Sequence, residues 1–127
     1  MILNDNLLIE SINKELERLE NLGEIIGSAV VNRNGLLISS RLPRDIDDRK
    51  LSALAATMFE AIETATSNLK NNQIKNITVE YQDYQLIIVE INDNIILVSL
   101  FDLNANLGLV FIEIEEIIKN IINMIKK

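Results

Sequence analysis

The sequence predicts an α+β fold with the element order α-β-β-α-β-β-β-α, in which a five-stranded antiparallel sheet is covered by helices on both faces. Three segments repeat apolar residues at the helical spacing of three and four. Five short β-rich runs joined by short turns indicate antiparallel pairing. The last of these runs is apolar throughout, as in a strand covered on both faces. We therefore place one long helix on one face and the two terminal helices on the other.

The composition limits the chemistry that this chain can perform. Its 127 residues suit a single domain spanning positions 1–127, and its 48% hydrophobic content is enough to bury a core. The absence of cysteine and histidine removes thiol nucleophiles, histidine bases and the usual zinc ligands. The sequence shows no nucleophile–base pair, no calcium loop and no phosphate-binding glycine motif. It therefore predicts neither an enzyme nor a bound cofactor.

Charge and hydropathy also limit the partners. The formal net charge of −7 repels phosphate backbones, so nucleic acid is not an expected partner. No uninterrupted apolar run is long enough to cross a bilayer, and the N-terminal residues lack a basic leader and a cleavage site. We expect a cytoplasmic protein without direct membrane insertion, and the absence of cysteine agrees with that compartment.

The first predicted elements are a helix and a β-hairpin. The helix covers Asn4–Leu22 and ends at Gly23, because glycine adopts positive φ at little steric cost. β-rich runs at 25–32 and 36–40 flank the pair Asn34–Gly35. An Asn-Gly pair between two such runs predicts a type I′ turn, in which both residues have positive φ. The apolar line of the helix consists of Leu8, Ile12, Leu16 and Leu19.

The chain is organised around a second predicted helix of about 24 residues within Asp45–Leu69. Pro43 prevents the preceding strand from continuing, and Asp45 or Asp47 supplies the N-cap. One face of this helix is apolar and is predicted to lie on the sheet. It consists of Leu51, Leu54, Ala55, Met58, Ile62, Ala65 and Leu69.

The opposite face of this middle helix is small and only intermittently polar. A helix face that meets only water usually carries lysine and glutamate. Small side chains let a second backbone approach closely, so this face favours docking of another helix. Small filler on a solvated face is the alternative interpretation. The face consists of Ala53, Ala56, Thr57, Glu60, Thr64 and Asn68.

Three strands and a final helix complete the prediction. The strands cover Ile74–Gln82, Gln85–Ile91 and Ile95–Phe101. The first of them alternates apolar and polar residues, which is typical of an edge strand with one buried face. The third is apolar throughout and is predicted to be an inner strand. A strongly amphipathic helix follows from Leu107 onward.

The element order and the segment Gly27–Ala65 resemble the roadblock domain family, the relatives of dynein light chains and of prokaryotic regulators of Ras-like GTPases. The hairpin Val31–Ile38, with the sequence VNRNGLLI, and the segment Leu107–Val110 also match. The resemblance covers almost the whole chain. Its motifs are structural rather than catalytic, so they indicate the fold more specifically than the function.

The resemblance implies a homodimer or heterodimer in which the middle helices pair antiparallel and an edge strand pairs with its copy. The small face of the middle helix and the alternating strand are the segments of this chain that fit those roles. The resemblance also implies that the paired helices dock a small Ras-like GTPase, to change its nucleotide hydrolysis or to hold it in an assembly. The expected dimer interface consists of Ala53, Ala56, Thr57, Glu60, Thr64, Asn68, Ile77 and Val79.

Three further side chains are candidates for contact with a partner. Arg41 and Arg44 lie on a predicted exposed loop, and an arginine supplied in trans can stabilise charge in phosphoryl transfer. The alternative, which we favour, is that they are solubilising cations or pair locally with the aspartates within 45–48. Phe59 projects between the two faces of the middle helix. It is either a half-exposed anchor for a partner or part of the core of the dimer.

The sequence thus predicts a non-enzymatic homodimer that regulates or scaffolds a small Ras-like GTPase. Two other functions share part of the evidence. A five-stranded sheet flanked by helices also describes small-molecule sensors, although the inner strands here offer few polar groups to orient a ligand. A purely structural assembly subunit would show the same sequence features without having a GTPase partner.

Overall fold

Eight elements follow one another in the order that the sequence predicts. The computed structural model describes residues 5–71 and 73–126. The helices are α1 (Asn6–Glu20), α2 (Asp48–Ala65) and α3 (Leu107–Lys126). The strands are β1 (Ile25–Asn32), β2 (Leu37–Arg41), β3 (Ile77–Glu80), β4 (Tyr84–Glu90) and β5 (Ile95–Asp102). The α+β class and the predicted element order are confirmed.

The five strands form one antiparallel sheet in the order β2-β1-β5-β4-β3. β5 lies at the centre, and Ile95–Phe101 are all buried, as the continuous apolar run predicts. β3 lies at an edge, and its side chains alternate between half-buried and exposed, also as predicted. The predicted strand Ile74–Gln82 contracts to Ile77–Glu80, because only these four residues pair with β4.

The sheet separates two hydrophobic cores. On one face, α1 and α3 pack against the sheet around Leu16, Ile117 and Phe101, which are fully buried. The other face carries α2, which lies over β1, β2 and β5 around Phe59 and Val98. The predicted arrangement of one helix opposite two terminal helices is therefore confirmed. Because α2 sits toward the β2 side, the edge at β3 extends beyond it.

α1 agrees with its predicted apolar line. Ile12, Leu16 and Leu19 are fully buried against the sheet and α3. The helix begins after its N-cap, Asp5, and the predicted start at Asn4 lies outside the described residues. Gly23 has a φ of 81°, in agreement with a chain reversal after the helix.

α2 begins where predicted but ends early. Of the two candidate caps, Asp47 is the N-cap, and its carboxylate accepts from the backbone N–H groups of Arg49 and Lys50 at 3.1 Å. The helix ends at Ala65 and has 18 residues rather than about 24. The next residue, Thr66, is the C-cap, and both its N–H and its hydroxyl donate to the carbonyl of Ile62, at 3.0 and 2.8 Å. No helix in the described ranges is long and apolar enough to cross a bilayer.

The hairpin between β1 and β2 differs from the prediction in its turn type. Gly35 has a φ of 94°, whereas Asn34 does not have a positive φ. The N–H of Gly35 donates to the carbonyl of Asn32 at 2.9 Å, and the N–H of Asn32 donates to the carbonyl of Leu36 at 2.8 Å. These bonds define a three-residue loop, a type I turn followed by a glycine bulge, so the predicted type I′ turn is wrong.

Gly27 in β1 occupies a position where the fold leaves no room for a side chain. A Cβ atom there would lie 2.7 Å from the carbonyl oxygen of Arg41 and 2.7 Å from Cδ2 of Leu42.

We expect Gly27→Ala to lower the free energy of unfolding by about 1 to 2 kcal/mol, because the β2 backbone must shift. Urea denaturation measures this change. Gly108→Ala is the matched control, since its nearest neighbour is a flexible side chain at 3.3 Å, and an unchanged midpoint for Gly27→Ala would contradict the close approach.

Candidate functional site

The sheet-facing side of α2 is built mainly from small residues. Ser52 and Ala55 are fully buried, Ala56 is 6% exposed and Phe59 is 2% exposed. The hydroxyl of Ser52 donates to the carbonyl of Asp48 at 2.6 Å, so its polar group is satisfied within the helix. The small side chains let the helix lie close to the sheet, and the ring of Phe59 fills the space that remains.

The predicted orientation of α2 is wrong in part. Leu51 and Met58 pack against the sheet as predicted. Leu54 and Ile62, however, are 48% and 40% exposed. The helix is rotated so that Phe59 points at the sheet, because burying an aromatic ring removes more apolar surface from water than burying Leu54. The side of α2 that faces away from the sheet therefore carries large apolar side chains as well as small ones.

The outward face of α2 is open to solvent. Among the predicted interface residues, Ala53, Thr57, Glu60 and Thr64 are exposed on it. Ala56 was predicted to share this face, but it is buried toward the sheet, so the prediction for Ala56 is wrong. We define the outward face by the exposed residues Lys50, Ala53, Leu54, Thr57, Glu60, Ala61 and Thr64.

The remaining predicted interface residues lie next to α2 or on the edge strand. Asn68 is exposed in the turn that follows α2. Ile77 and Val79 are half-buried on β3, and they belong to the same core as Phe59. Their side chains therefore project from the sheet face that carries α2. The outward face of α2 and the open edge of β3 thus lie on one side of the molecule, which a shared interface requires.

An apolar groove runs between α2 and the β3–β4 turn. Its exposed walls are Leu54, Ile26 and Tyr81, and its volume is about 400 Å³. Tyr81 stacks on Tyr84 with 4.6 Å between ring centroids, and both rings line the groove. The groove is open along its length and mostly apolar, so it suits an apolar side chain of another protein better than a small polar ligand.

Arg33 is a residue that the sequence did not single out. Its guanidinium lies over the ring of Phe59, 4.6 Å from the centroid. It forms ion pairs with Glu63 of α2 and, at 3.5 Å, with Glu90 at the end of β4. Its backbone N–H donates to the carbonyl of Asn94 at 2.9 Å. Arg33 thus ties the β1–β2 hairpin to α2 and to the β4–β5 turn.

The charges around Arg33 influence one another. Burial raises the pKa of Glu90, the Arg33 guanidinium lowers it, and the carboxylates of Glu63 and Asp93 raise it. The hydrogen bond that Arg33 donates to the carboxylate of Glu63 raises the pKa of Arg33, so Arg33 stays a cation. In the described ranges, no group of three or more acidic side chains is arranged to hold a metal ion. Ion pairs join Arg33 to Glu63 and Glu90 in a salt-bridge network.

Arg41 was predicted to lie on an exposed loop, and this is wrong because it is the last residue of β2. Its guanidinium donates from Nε and an η nitrogen to both carboxylate oxygens of Glu20 in α1, at 2.8 and 3.2 Å, and to Asn13 at 3.0 Å. The hydrogen bond from Arg41 holds the pKa of Glu20 below its ordinary value. The partners of Arg41 are therefore residues of α1 rather than the aspartates within 45–48.

Arg44 and Phe59 are the other two candidates for partner contact. Arg44 is exposed in the turn between β2 and α2, and it forms no ion pair with another residue of the described ranges. Its guanidinium is thus free to reach another molecule. Phe59 is buried in the core of a single chain, so the interpretation of a half-exposed anchor is wrong.

The fold and this open surface define a member of a known family. A family model described as the Roadblock/LC7 domain matches residues 12–101, and the chain therefore belongs to the Roadblock/LC7 family. The Methanocaldococcus jannaschii protein MJ0714 is 32% identical over 104 residues, which cover 81% of this chain and 87% of that protein.

Solved structures give the same result for the fold. Myxococcus xanthus MglB superposes with a TM-score of 0.85 at 25% identity, covering 91% of this chain and 95% of that one. The Thermus thermophilus gliding protein MglB superposes with a TM-score of 0.84 at 18% identity, covering 94% and 92%. The family match ends at residue 101, before α3, whereas the MglB superposition covers most of the chain.

Proposed function

We propose that this chain is a non-enzymatic homodimer that binds a small Ras-like GTPase through its paired α2 helices and regulates it or holds it in an assembly. Membership of the Roadblock/LC7 family supports this proposal, since the family includes regulators of Ras-like GTPases. The similarity to Myxococcus xanthus MglB at 25% identity also supports it. In this proposal the chain acts by binding the GTPase on its surface and catalyses no reaction of its own.

The observation that carries the proposal is the outward face of α2. A surface helix of a monomer normally directs its large apolar side chains to the core, but here Leu54 is 48% exposed beside Ala53 and Thr57. The apolar groove continues this surface toward Tyr81. Contiguous apolar surface of this kind marks an interface, because leaving it in water is unfavourable. The small residues allow the close helix contact that the proposed dimer needs.

The oligomeric state tests the dimer. Light scattering on the purified chain is expected to give twice the mass of one chain. Leu54→Glu should raise the dissociation constant about 100-fold, because a charge is placed at the centre of a desolvated contact. Ile112→Glu is the matched control, since Ile112 is 66% exposed on α3, at the opposite face of the sheet. An equal loss in both variants would mean that the effect is not specific to α2.

Pull-down against the small Ras-like GTPases of the same organism, each loaded with GDP or with a non-hydrolysable GTP analogue, tests the partner. We expect one of them to bind the wild-type chain and to lose binding to Leu54→Glu while keeping it to Ile112→Glu. A dimer that binds none of these GTPases in either nucleotide state would instead support a purely structural assembly subunit.

A further inference from the structure

Three charged residues on or beside the outward face of α2 have no ion-pair partner among the described residues of one chain. Arg49, Lys50 and Glu60 are exposed, and none of them pairs with another residue in 5–71 or 73–126. Glu63 on the same helix differs, because it is bound by Arg33. The outward face therefore has Lys50 at its N-terminal end, with Arg49 beside it, and the free carboxylate of Glu60 about three turns later.

We propose that these charges set the register in which two copies of the chain dock. The proposal rests on the homodimer proposed above and defines its geometry. In this register Glu60 of one copy lies against Lys50 and Arg49 of the partner subunit. A twofold axis makes the contact twice, once at each end of the helix pair. Along the helix, the axis then lies at the level of Ala55, the midpoint between Lys50 and Glu60, but on the outward side, away from the buried Ala55 side chain.

The same charges agree with the antiparallel direction that the family resemblance implies for the helix pair. A parallel pair would place each charged residue next to its own copy, so Glu60 would repel Glu60 of the partner subunit. An antiparallel pair centred on Ala55 instead places opposite charges together at both ends. It also brings Ala53 against Thr57 of the partner subunit, and both side chains are small enough for the helices to approach closely.

Another antiparallel register is less favourable. A pair centred on Thr57 would set Glu60 against Leu54 of the partner subunit and Lys50 against Thr64 of the partner subunit. The carboxylate would then lose water beside an apolar side chain without gaining a cation, which is unfavourable. Charge complementarity therefore favours the register centred on Ala55. Because the outward face carries both signs at matching positions, the face is complementary to itself, which favours self-association over pairing with a differently charged chain.

Charge reversal tests the register. Sedimentation over a concentration series, at low salt because the contacts are near the surface, gives the dissociation constant of the dimer. Lys50→Glu and Glu60→Lys should each raise it about ten-fold, since each reversal replaces two attractions by two repulsions. The combined variant should return to within about three-fold of the wild type, because the pairs are restored with exchanged signs. Lys14→Glu on α1 is the control for the change in net charge, and its dissociation constant should stay at the wild-type value.

Failures of the register and of the dimer give different results. A wild-type chain that is monomeric overturns both. A wild-type dimer that tolerates both single reversals overturns the register alone. Single variants that weaken the dimer without recovery in the combined variant overturn the pairing of Lys50 with Glu60.

Cross-linking supplies a second test, because the chain contains no cysteine of its own. Mixed samples of Ala53→Cys and Thr57→Cys should form a disulfide faster than either variant forms with itself, because the proposed register places these residues opposite each other. Faster cross-linking of Thr57→Cys with itself overturns the register in favour of one centred on Thr57.

Discussion

Phe59→Ala is expected to lower the free energy of unfolding by about 3 to 4 kcal/mol. The ring is 2% exposed and packs in the core between α2 and the sheet, together with Val98 and Leu86. The residues beside it on α2 are small, so they cannot expand into the cavity that truncation leaves. Truncation also removes the ring on which the guanidinium of Arg33 lies. The loss should therefore exceed that of a simple apolar truncation.

Chemical denaturation at one fixed protein concentration measures this loss, since dimer formation would make the apparent stability depend on concentration. Phe59→Leu should cost about 1 kcal/mol, because it keeps most of the apolar volume. Leu36→Ala is the surface control, since Leu36 is 66% exposed at the hairpin, and we expect less than about 0.5 kcal/mol. A loss below about 1 kcal/mol for Phe59→Ala would show that the ring does not anchor α2.

The element order could be predicted because its signals are local. The continuous apolar run of β5 is characteristic of a central strand, and the alternation of β3 is characteristic of an edge strand. The position of the hairpin could also be predicted, because the Asn34–Gly35 pair is a local signal for a turn. The predicted turn type was wrong, because an Asn-Gly pair also suits a type I turn followed by a bulge, which needs positive φ only at Gly35.

The rotation of α2 could not be predicted, because periodicity identifies stripes on a helix but not which stripe meets the sheet. A helix with leucines on one side and small residues on the other suggests that the leucines are buried. The structure buries Ala56 and Phe59 and leaves Leu54 half-exposed. This choice depends on the space over β1 and β5 and on Arg33, which are tertiary features. The burial of Ala56 removes it from the predicted interface, and the rest of that interface stays a prediction.

Arg33 escaped prediction for a related reason. An arginine beside an Asn-Gly pair is typical of an exposed turn. Its acidic partners, Glu63 and Glu90, lie far away in sequence and are brought to it by the fold. Arg41 shows the same limitation, because sequence proximity suggested the aspartates of the following turn and the fold supplied Glu20 of α1 instead.

Arg33→Met is expected to lower the free energy of unfolding by about 2 to 3 kcal/mol at neutral pH. Methionine keeps the apolar stem of the side chain but removes the guanidinium, with its charge and its contact with the ring of Phe59. Glu90 is then left half-buried beside Glu63 and Asp93 without its cation, and repulsion among these carboxylates adds to the loss. The hairpin also loses its link to α2 through Glu63. Arg44→Met is the matched control, because Arg44 is exposed without an ion pair to another described residue, and it should change stability by less than about 0.5 kcal/mol.

The pH dependence of this loss identifies its cause. Burial raises the pKa of Glu90 above its ordinary value of 4.5. Between pH 4.5 and the raised pKa, the folded state therefore binds a proton that the unfolded state has lost. The contribution of Glu90 to the free energy of unfolding falls as the pH rises through this range. Removing Arg33 removes an attraction that lowers this pKa, so the pKa rises further and the variant loses more stability with rising pH than the wild type. The difference between the wild type and Arg33→Met should shrink as the pH is lowered from neutral toward 4.5, because a protonated Glu90 no longer needs a cation. Urea denaturation of both proteins from neutral to acidic pH measures this difference, and a loss that stays constant with pH would assign the role of Arg33 to packing rather than charge.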